Sequence, residues 1–349
     1  MTLLAFGTGQ VPVAGIRVIG VRRRPSALLA GNLRVPDPRL PVQTRLCLSS
    51  AMLRAVAVEI RRDPPDVVHV TLARMAPYLP PPGAWHRHLD LVDALSLNMA
   101  TRARGSRGAA RLAFAAEARL MRRYEAACVA DVESASLVSE ADRRQAPGLQ
   151  AAAVVPMGVD VERFPYVAPR DRPTTLMFFG NLGYFHNVEP ARHVAQEVLP
   201  RVLRRVPGAT LRLVGARPAA AVLRLGAMDG VEVVGAVADM ATELHRAAVA
   251  IIPMFTGSGM KNKVLEAFSA GTPVVTNEVG IEGVQGARAG AHHLQGETAD
   301  ALADRCVELL LDARRRVELA EAGRALVERD FTWSAQAQRL LRLYAGGRP

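Results

Sequence analysis

Two doubly wound α/β domains with parallel sheets are what this sequence predicts. Strand-like runs alternate with amphipathic helical stretches along most of the chain, the pattern of β-α-β units. Some of these runs, such as Asp66-Val-Val-His-Val-Thr71, lack a polar alternation and read as strands covered on both faces. The length of 349 residues suits two cores rather than one. The expected division is 1–165 for a first domain, 166–330 for a second, and 331–349 for a terminal helix packing back toward the first.

In chain order, Leu3-Leu-Ala-Phe and Ile16 to Val21 read as two short strands joined by a Gly/Pro turn. Gly7-Thr-Gly9 resembles a nucleotide loop, but Gln10-Val-Pro-Val is no helix start. An amphipathic helix is expected from about Ser49 to Arg61, stopped by Pro64-Pro65. The strand at Asp66–Thr71 carries His69, a residue more often a satisfied core histidine than a base, and Arg74 lies just beyond its carboxyl end. Ligands of open α/β sheets bind at such ends. A strand running through His88-Leu-Asp-Leu-Val-Asp93 leads to Ser96, and a long helix rich in arginine and alanine follows from Gly108 to Ala130. Its charges read as a solvated face.

The second half is more regular. Strands are expected at Leu176-Met-Phe-Phe, Thr210 to Gly215, Val231-Glu-Val-Val, Val249 to Met254, Val274-Val275 and His293-Leu294. Helices are expected from Val188 to Val206, Asp239 to Ala247, Ala299 to Asp312, Arg314 to Glu328 and Trp333 to Leu343.

Composition narrows the function. No run is long and apolar enough to span a bilayer, and the start lacks the charged and apolar regions of an export signal. Cys47, Cys128 and Cys306 are far apart and odd in number, which argues for a reducing, cytoplasmic setting without a metal pair. The net charge of +11 fits nucleic acid, an anionic membrane face or a phosphorylated substrate. Aromatic residues make up only 5% of the chain, and base-stacking platforms need them, so nucleic acid ranks last.

The most informative stretch is Phe255-Thr-Gly257-Ser258-Gly259-Met260-Lys261-Asn-Lys263-Val264-Leu-Glu266-Ala-Phe-Ser-Ala-Gly271-Thr-Pro-Val275. It reads as strand, glycine loop, short helix and strand. Helix N-termini hold anions because their first N–H groups lack partners and the macrodipole favours negative charge. The chain's only two lysines, Lys261 and Lys263, are both here. Two ammonium groups beside glycines suit a diphosphate, and the Glu266 carboxylate suits sugar hydroxyls. The plain alternative is a common glycine turn with solvated lysines. Neither the Walker pattern nor the dinucleotide fingerprint is present.

Several stretches resemble one family. Val155-Pro-Met-Gly-Val-Asp160-Val-Glu-Arg-Phe164, Phe179-Gly180-Asn181-Leu with His186-Asn187, Leu211-Arg-Leu-Val-Gly215, Val233-Val-Gly235, Leu265-Glu266-Ala-Phe-Ser-Ala-Gly271-Thr-Pro-Val-Val275 and Phe331-Thr-Trp333 carry the likeness. Together they resemble the two-domain GT-B glycosyltransferases of the sucrose-synthase-like family 4. The nearest subgroup has Gly-x-Gly-x-Lys-x-Lys before its Leu-Glu. The resemblance implies two Rossmann-like domains facing a cleft, and transfer of a sugar from a nucleoside-diphosphate sugar to an acceptor hydroxyl. It also implies retention of configuration and no metal or other cofactor.

The resemblance places the donor at Gly180, Asn181, Gly257, Ser258, Gly259, Met260, Lys261, Lys263, Val264 and Glu266, with Glu266 on the ribose. Catalytic roles go to Lys261, Arg74 and Asp93, and the acceptor cleft to His69, Arg74 and Ser96. The sequence departs from the family in three ways. Ser258 stands where the first acid of a pair eight positions apart is usual. No basic residue follows the Gly180 loop. Met1 falls at what would be the second strand, which predicts an exposed sheet edge. A basic first domain docked on anionic lipid, with cytoplasmic localisation, completes the expectation. The alternatives are a nucleotide-sugar 2-epimerase and an inactive sugar-nucleotide binder.

Overall fold

The computed structural model describes residues 1–7, 15–22, 40–255 and 259–346. The chain forms two compact units, Met1–Val155 with Leu340–Pro349, and Pro156–Arg339. The division therefore falls at Val155/Pro156 rather than at 165/166, and the second cut lies within the last helix.

In unit 1, β1 (Thr2–Phe6) and β2 (Arg17–Val21) pair in parallel, Thr2 opposite Arg17. The Gly/Pro turn expected between them lies largely outside the described residues. Helices α1 (Val42–Cys47) and α2 (Ser50–Arg62) follow. The Ser49 side chain caps α2 by accepting from Met52 N–H. Next come β3 (Val67–Thr71), a 3-10 turn (Ala73–Tyr78), β4 (His86–Asp90), α3 (Leu95–Gly105) and α4 (Gly108–Ala130). β5 (Ser134–Leu137), α5 (Glu140–Gln145) and β6 (Ala153–Val154) complete the unit.

The sheet runs β3-β4-β5-β6, all parallel. Leu89, Leu91, Leu137 and Leu149 are fully buried in its core, each stabilising by about 1.5–3 kcal/mol. β3 is the edge strand of that sheet, with side chains that are half-buried or exposed, not the covered strand its apolar run suggested.

Unit 2 opens its sheet with β7 (Thr175–Phe179), followed by α6 (Phe185–His193), a π turn (Val194–Val198) and α7 (Leu199–Leu203). Then come β8 (Thr210–Val214), α8 (Ala220–Leu223), β9 (Val231–Gly235), α9 (Met240–Arg246) and β10 (Val249–Ile252). The remainder is α10 (Asn262–Ser269), β11 (Val274–Thr276), α11 (Glu278–Ile281), β12 (Leu294–Gln295), α12 (Ala299–Leu311), α13 (Ala313–Asp330) and α14 (Trp333–Tyr344).

The strand order β12-β11-β10-β7-β8-β9 is wholly parallel. β7 and β10 are buried at every position. The chain leaves β7 toward β8 and β9, then returns to lay β10 on the other side. The switch point is thus between β7 and β10, and loops leaving their carboxyl ends part to form a crevice.

Arginines that are buried or half-buried brace this unit. Arg316, 4% exposed, donates to the carbonyls of Pro169, Arg170, Leu309 and Leu310. Arg324 does the same for Phe164 and Ser269, and Arg172 for Leu244 and Ala247. Part of the arginine content is therefore structural, satisfying loop carbonyls that the sheet leaves unpaired. Among the described residues no helix is long and apolar enough to cross a membrane.

Candidate functional site

The two loops at the switch point of unit 2 are tied together by side chains. Gly180 follows β7 with φ 137°, and a Cβ there would meet Asn187 Nδ2 at 3.1 Å and Lys263 Nζ at 3.3 Å. Gly215, after β8, is still tighter: a Cβ there would lie 1.6 Å from the Gly180 carbonyl oxygen. Asn181 O accepts from Asn187 Nδ2 at 2.9 Å, closing the loop onto the start of α6.

Lys263 reaches this loop from the first turn of α10. Its Nζ donates to Asn187 Oδ1 at 2.7 Å, lies 3.8 Å from the Met254 sulfur, and sits 4.7 Å from the centre of the Phe178 ring. No carboxylate pairs with it among the described residues. Desolvation, then the nearby Lys261 charge, pull Lys263 down to about 7 against the weaker pull of Glu266. Lys261, 8% exposed, donates from Nζ to Gly259 O at 2.8 Å. Gly259 holds φ 75°, a left-handed turn that favours glycine. Glu266 is half-buried on α10, and burial raises it despite Lys263 and Arg163.

The structure therefore gathers Gly180, Asn181 and Lys263 around one loop, with Gly259, Met260 and Lys261 leading into α10, which carries Val264 and Glu266. Val264 is fully buried and serves the core. Gly257 and Ser258 lie outside the described residues. Two asparagines carry a role that the sequence did not assign them. Asn187 joins the loop to the lysine, and Asn277 braces the exit of β10 by accepting from Met254 N at 2.9 Å and donating to Met254 O at 2.8 Å. A polar residue following a buried strand was the available signal.

Unit 1 carries a separate polar group running from the middle of β3 and β4 to the carboxyl end of β4. His69, exposed on the edge strand, shares a hydrogen bond with Tyr344 Oη at 2.7 Å and packs on His88 with ring centres 4.9 Å apart. His88 is fully buried between Ser134 Oγ at 2.7 Å and Ser136 Oγ at 3.0 Å. Burial, then the neighbouring histidines His69 and His86, push His88 down to about 3, so it is neutral. Asp90 accepts from Ser136 Oγ at 3.2 Å and from Val92 N at 3.1 Å, and burial raises it.

Two non-glycine residues with positive φ flank this aspartate, Leu72 at 76° and Val92 at 61°. Such backbone is held only where the surroundings over-determine it, and it concentrates at functional sites. Of the residues singled out from sequence, Arg74 lies on the 3-10 turn after β3 and is half-buried. Ser96 is 4% exposed, and its N–H donates to Glu125 Oε1 at 3.2 Å. It thus sits in the buried start of α3 rather than on open surface. Asp93, between β4 and α3, is half-buried.

Parallel sheets in both units, and the solved structures that superpose on the chain, give the fold as GT-B, the α/β class with two Rossmann-like domains. Solved structures share it. Sucrose-phosphate synthase from Thermosynechococcus elongatus superposes with a TM-score of 0.71 at 18% identity, over 99% of this chain and 88% of that one. HepE of Anabaena, solved with UDP and glucose, gives 0.66 at 15% identity, over 95% of this chain and 86% of that one. Within this fold, residues 173–312 match the family model Glycosyl transferases group 1, so unit 2 carries a domain of that kind.

Among curated proteins, a glycogen synthase of Mycobacterium tuberculosis is 30% identical over 236 residues, 60% of this chain and 52% of that protein. A GDP-mannose-dependent alpha-(1-6)-phosphatidylinositol monomannoside mannosyltransferase of the same species is 31% identical over 212 residues, 53% of this chain and 54% of that protein. The aligned part of this chain spans about half the length of these relatives.

Proposed function

We propose that this protein is a glycosyltransferase of the hexosyl-transferring type, moving a sugar from a nucleoside-diphosphate sugar to an acceptor hydroxyl. The observation that carries the reading is Lys263, a half-buried cation with no carboxylate partner among the described residues, held by a neutral amide at a sheet switch point. An anion that reaches it gains a charge-assisted hydrogen bond in a site of low dielectric.

In the proposed reaction the bond from the sugar's anomeric carbon to the diphosphate breaks and a bond to the acceptor oxygen forms. The acceptor proton passes to the departing diphosphate. Lys263, Lys261 and the first N–H groups of α10 face the charge that grows on the leaving group, which is stabilisation by preorganised donors. Glu266 accepts hydrogen bonds from the ribose. Arg74, Asp93 and His69 are proposed for the acceptor side. Retention of configuration, independence from metal, and residence at the inner, anionic face of a membrane belong to the same proposal. The likeness to a mannosyltransferase favours transfer over the epimerase reading.

The test is calorimetric titration of the whole chain with UDP and with GDP, the nucleotides in the names of the similar proteins. Wild type binds one of them and releases it on Lys263→Met, a change that keeps the apolar stem and removes the ammonium. If neither nucleotide binds the folded protein, the reading fails.

A further inference from the structure

The charge of the chain is divided unevenly. Unit 1 holds 23 basic and 12 acidic residues, whereas unit 2 balances 21 against 21. The entire formal charge of +11 therefore lies on unit 1.

Within unit 1 helix α4 segregates its own charges. Its two acids face inward: Glu117 is 8% exposed and Glu125 is 1% exposed. Glu117 caps α1 by accepting from the N–H groups of Val42 and Gln43, both at 3.0 Å, and Glu125 takes the N–H of Ser96. Both carboxylates are thus occupied with orphan donors at helix starts. The four arginines of the helix, Arg111, Arg119, Arg122 and Arg123, are all exposed.

In unit 2 some surface arginines are compensated, whereas exposed Arg192, Arg204, Arg217 and Arg224 make no ion pair among the described residues. Arg201, Arg205, Arg305 and Arg314 each reach a carboxylate within 3.0 Å. None of the four on α4 makes an ion pair among the described residues. From Arg111 to Arg123 the outward surface is therefore cationic without compensation, over about 20 Å of helix. Leu112 stands on the same surface at 73% exposure, and alanines fill the spaces between the arginines.

We propose that the outer face of α4 seats unit 1 on an anionic phospholipid surface. Uncompensated arginines attract the headgroups, and a free leucine among them gains by entering the headgroup–acyl boundary. A nucleic acid rewards the arginines but offers nothing to Leu112. This deepens the membrane-face element of the proposed function by naming the surface. It is tested without nucleotide, so its outcome and that of the donor-site titration stand apart.

The experiment is co-sedimentation of the full chain with vesicles of phosphatidylcholine alone and with equimolar phosphatidylglycerol, at about 0.15 M salt. Wild type is expected to bind only the anionic vesicles. The R111Q/R119Q/R122Q/R123Q variant loses affinity by about a hundredfold or more. The control variant R201Q/R205Q/R305Q/R314Q removes the same number of charges from unit 2 and binds like wild type. Leu112→Asn weakens binding several-fold without changing its salt dependence. The proposal is overturned if wild type ignores anionic vesicles, if the α4 variant binds undiminished, if the control loses as much as the α4 variant, or if duplex DNA displaces the vesicles.

Discussion

Nζ of Lys263 lies 2.7 Å from Oδ1 of Asn187, so a half-buried cation in unit 2 is held by a neutral amide and not by a carboxylate. This pairing leaves the ammonium half-compensated, and burial brings it to about 7. The charged form is the one that binds an anion, and binding raises its pKa. Nucleotide affinity should therefore fall as pH rises above about 7, by at most about tenfold per unit for one linked proton. Calorimetry at pH 8 in buffers of different ionisation heat should register proton uptake in wild type and none in any residual binding of Lys263→Met.

The glycine pair at the loop separates folding from binding. Gly215→Ala places a Cβ 1.6 Å from the Gly180 carbonyl oxygen, so backbone must move. A loss of about 3 kcal/mol or more is expected, read as a lowered midpoint in chemical denaturation. Gly180→Ala meets only side-chain ends, at 3.1 and 3.3 Å, although its φ of 137° adds strain. It should cost less stability and proportionately more nucleotide affinity, because the atoms it displaces are those of Asn187 and Lys263.

Glu125 gives unit 1 a pH signature. Burial lifts its carboxyl to about 7 from 4.5. Between those values the folded state holds a proton that the unfolded state releases, so stability falls as pH rises from 4.5 to 7. The full effect is on the order of 3 kcal/mol. Glu125→Gln keeps an acceptor for the Ser96 N–H and removes the ionisation. Urea denaturation at a series of pH values should show the slope flattened by that change.

Arg316 closes four carbonyls at once. Arg316→Ala strands them in the interior, at an expected cost of about 2–4 kcal/mol. Arg316→Lys should recover only part of this, since an ammonium lacks the planar fork. Thermal melts of the two variants, ranked against wild type, check the order.

Much of unit 2 was legible because its signals are local. Buried apolar strands, a glycine after β7 and two lysines at the start of α10 are local patterns, whereas the meeting of Gly180 with Lys263 depends on the strand order. Other features depend on residues far apart in the chain. His69 read as a core histidine because an apolar run cannot say that its strand is a sheet edge. Ser96 read as an exposed site residue because Glu125, which receives its N–H, lies on another helix. The parallel pairing of β1 with β2 was hidden because strand pattern carries no direction. Arginines such as Arg316 read as excess charge, whereas only tertiary contact shows which carbonyls they satisfy.

The confinement of both lysines to one loop makes that loop chemically unique. A lysine-specific endoproteinase has no substrate bond elsewhere in the chain, and both bonds, after Lys261 and after Lys263, lie at the start of α10. Native protein should be cut only when this turn opens, so the rate of a single cleavage becomes a clock for local opening of the site. An occupant that holds the ammonium groups would slow that clock, and a digest could follow it without a labelled ligand or a known acceptor.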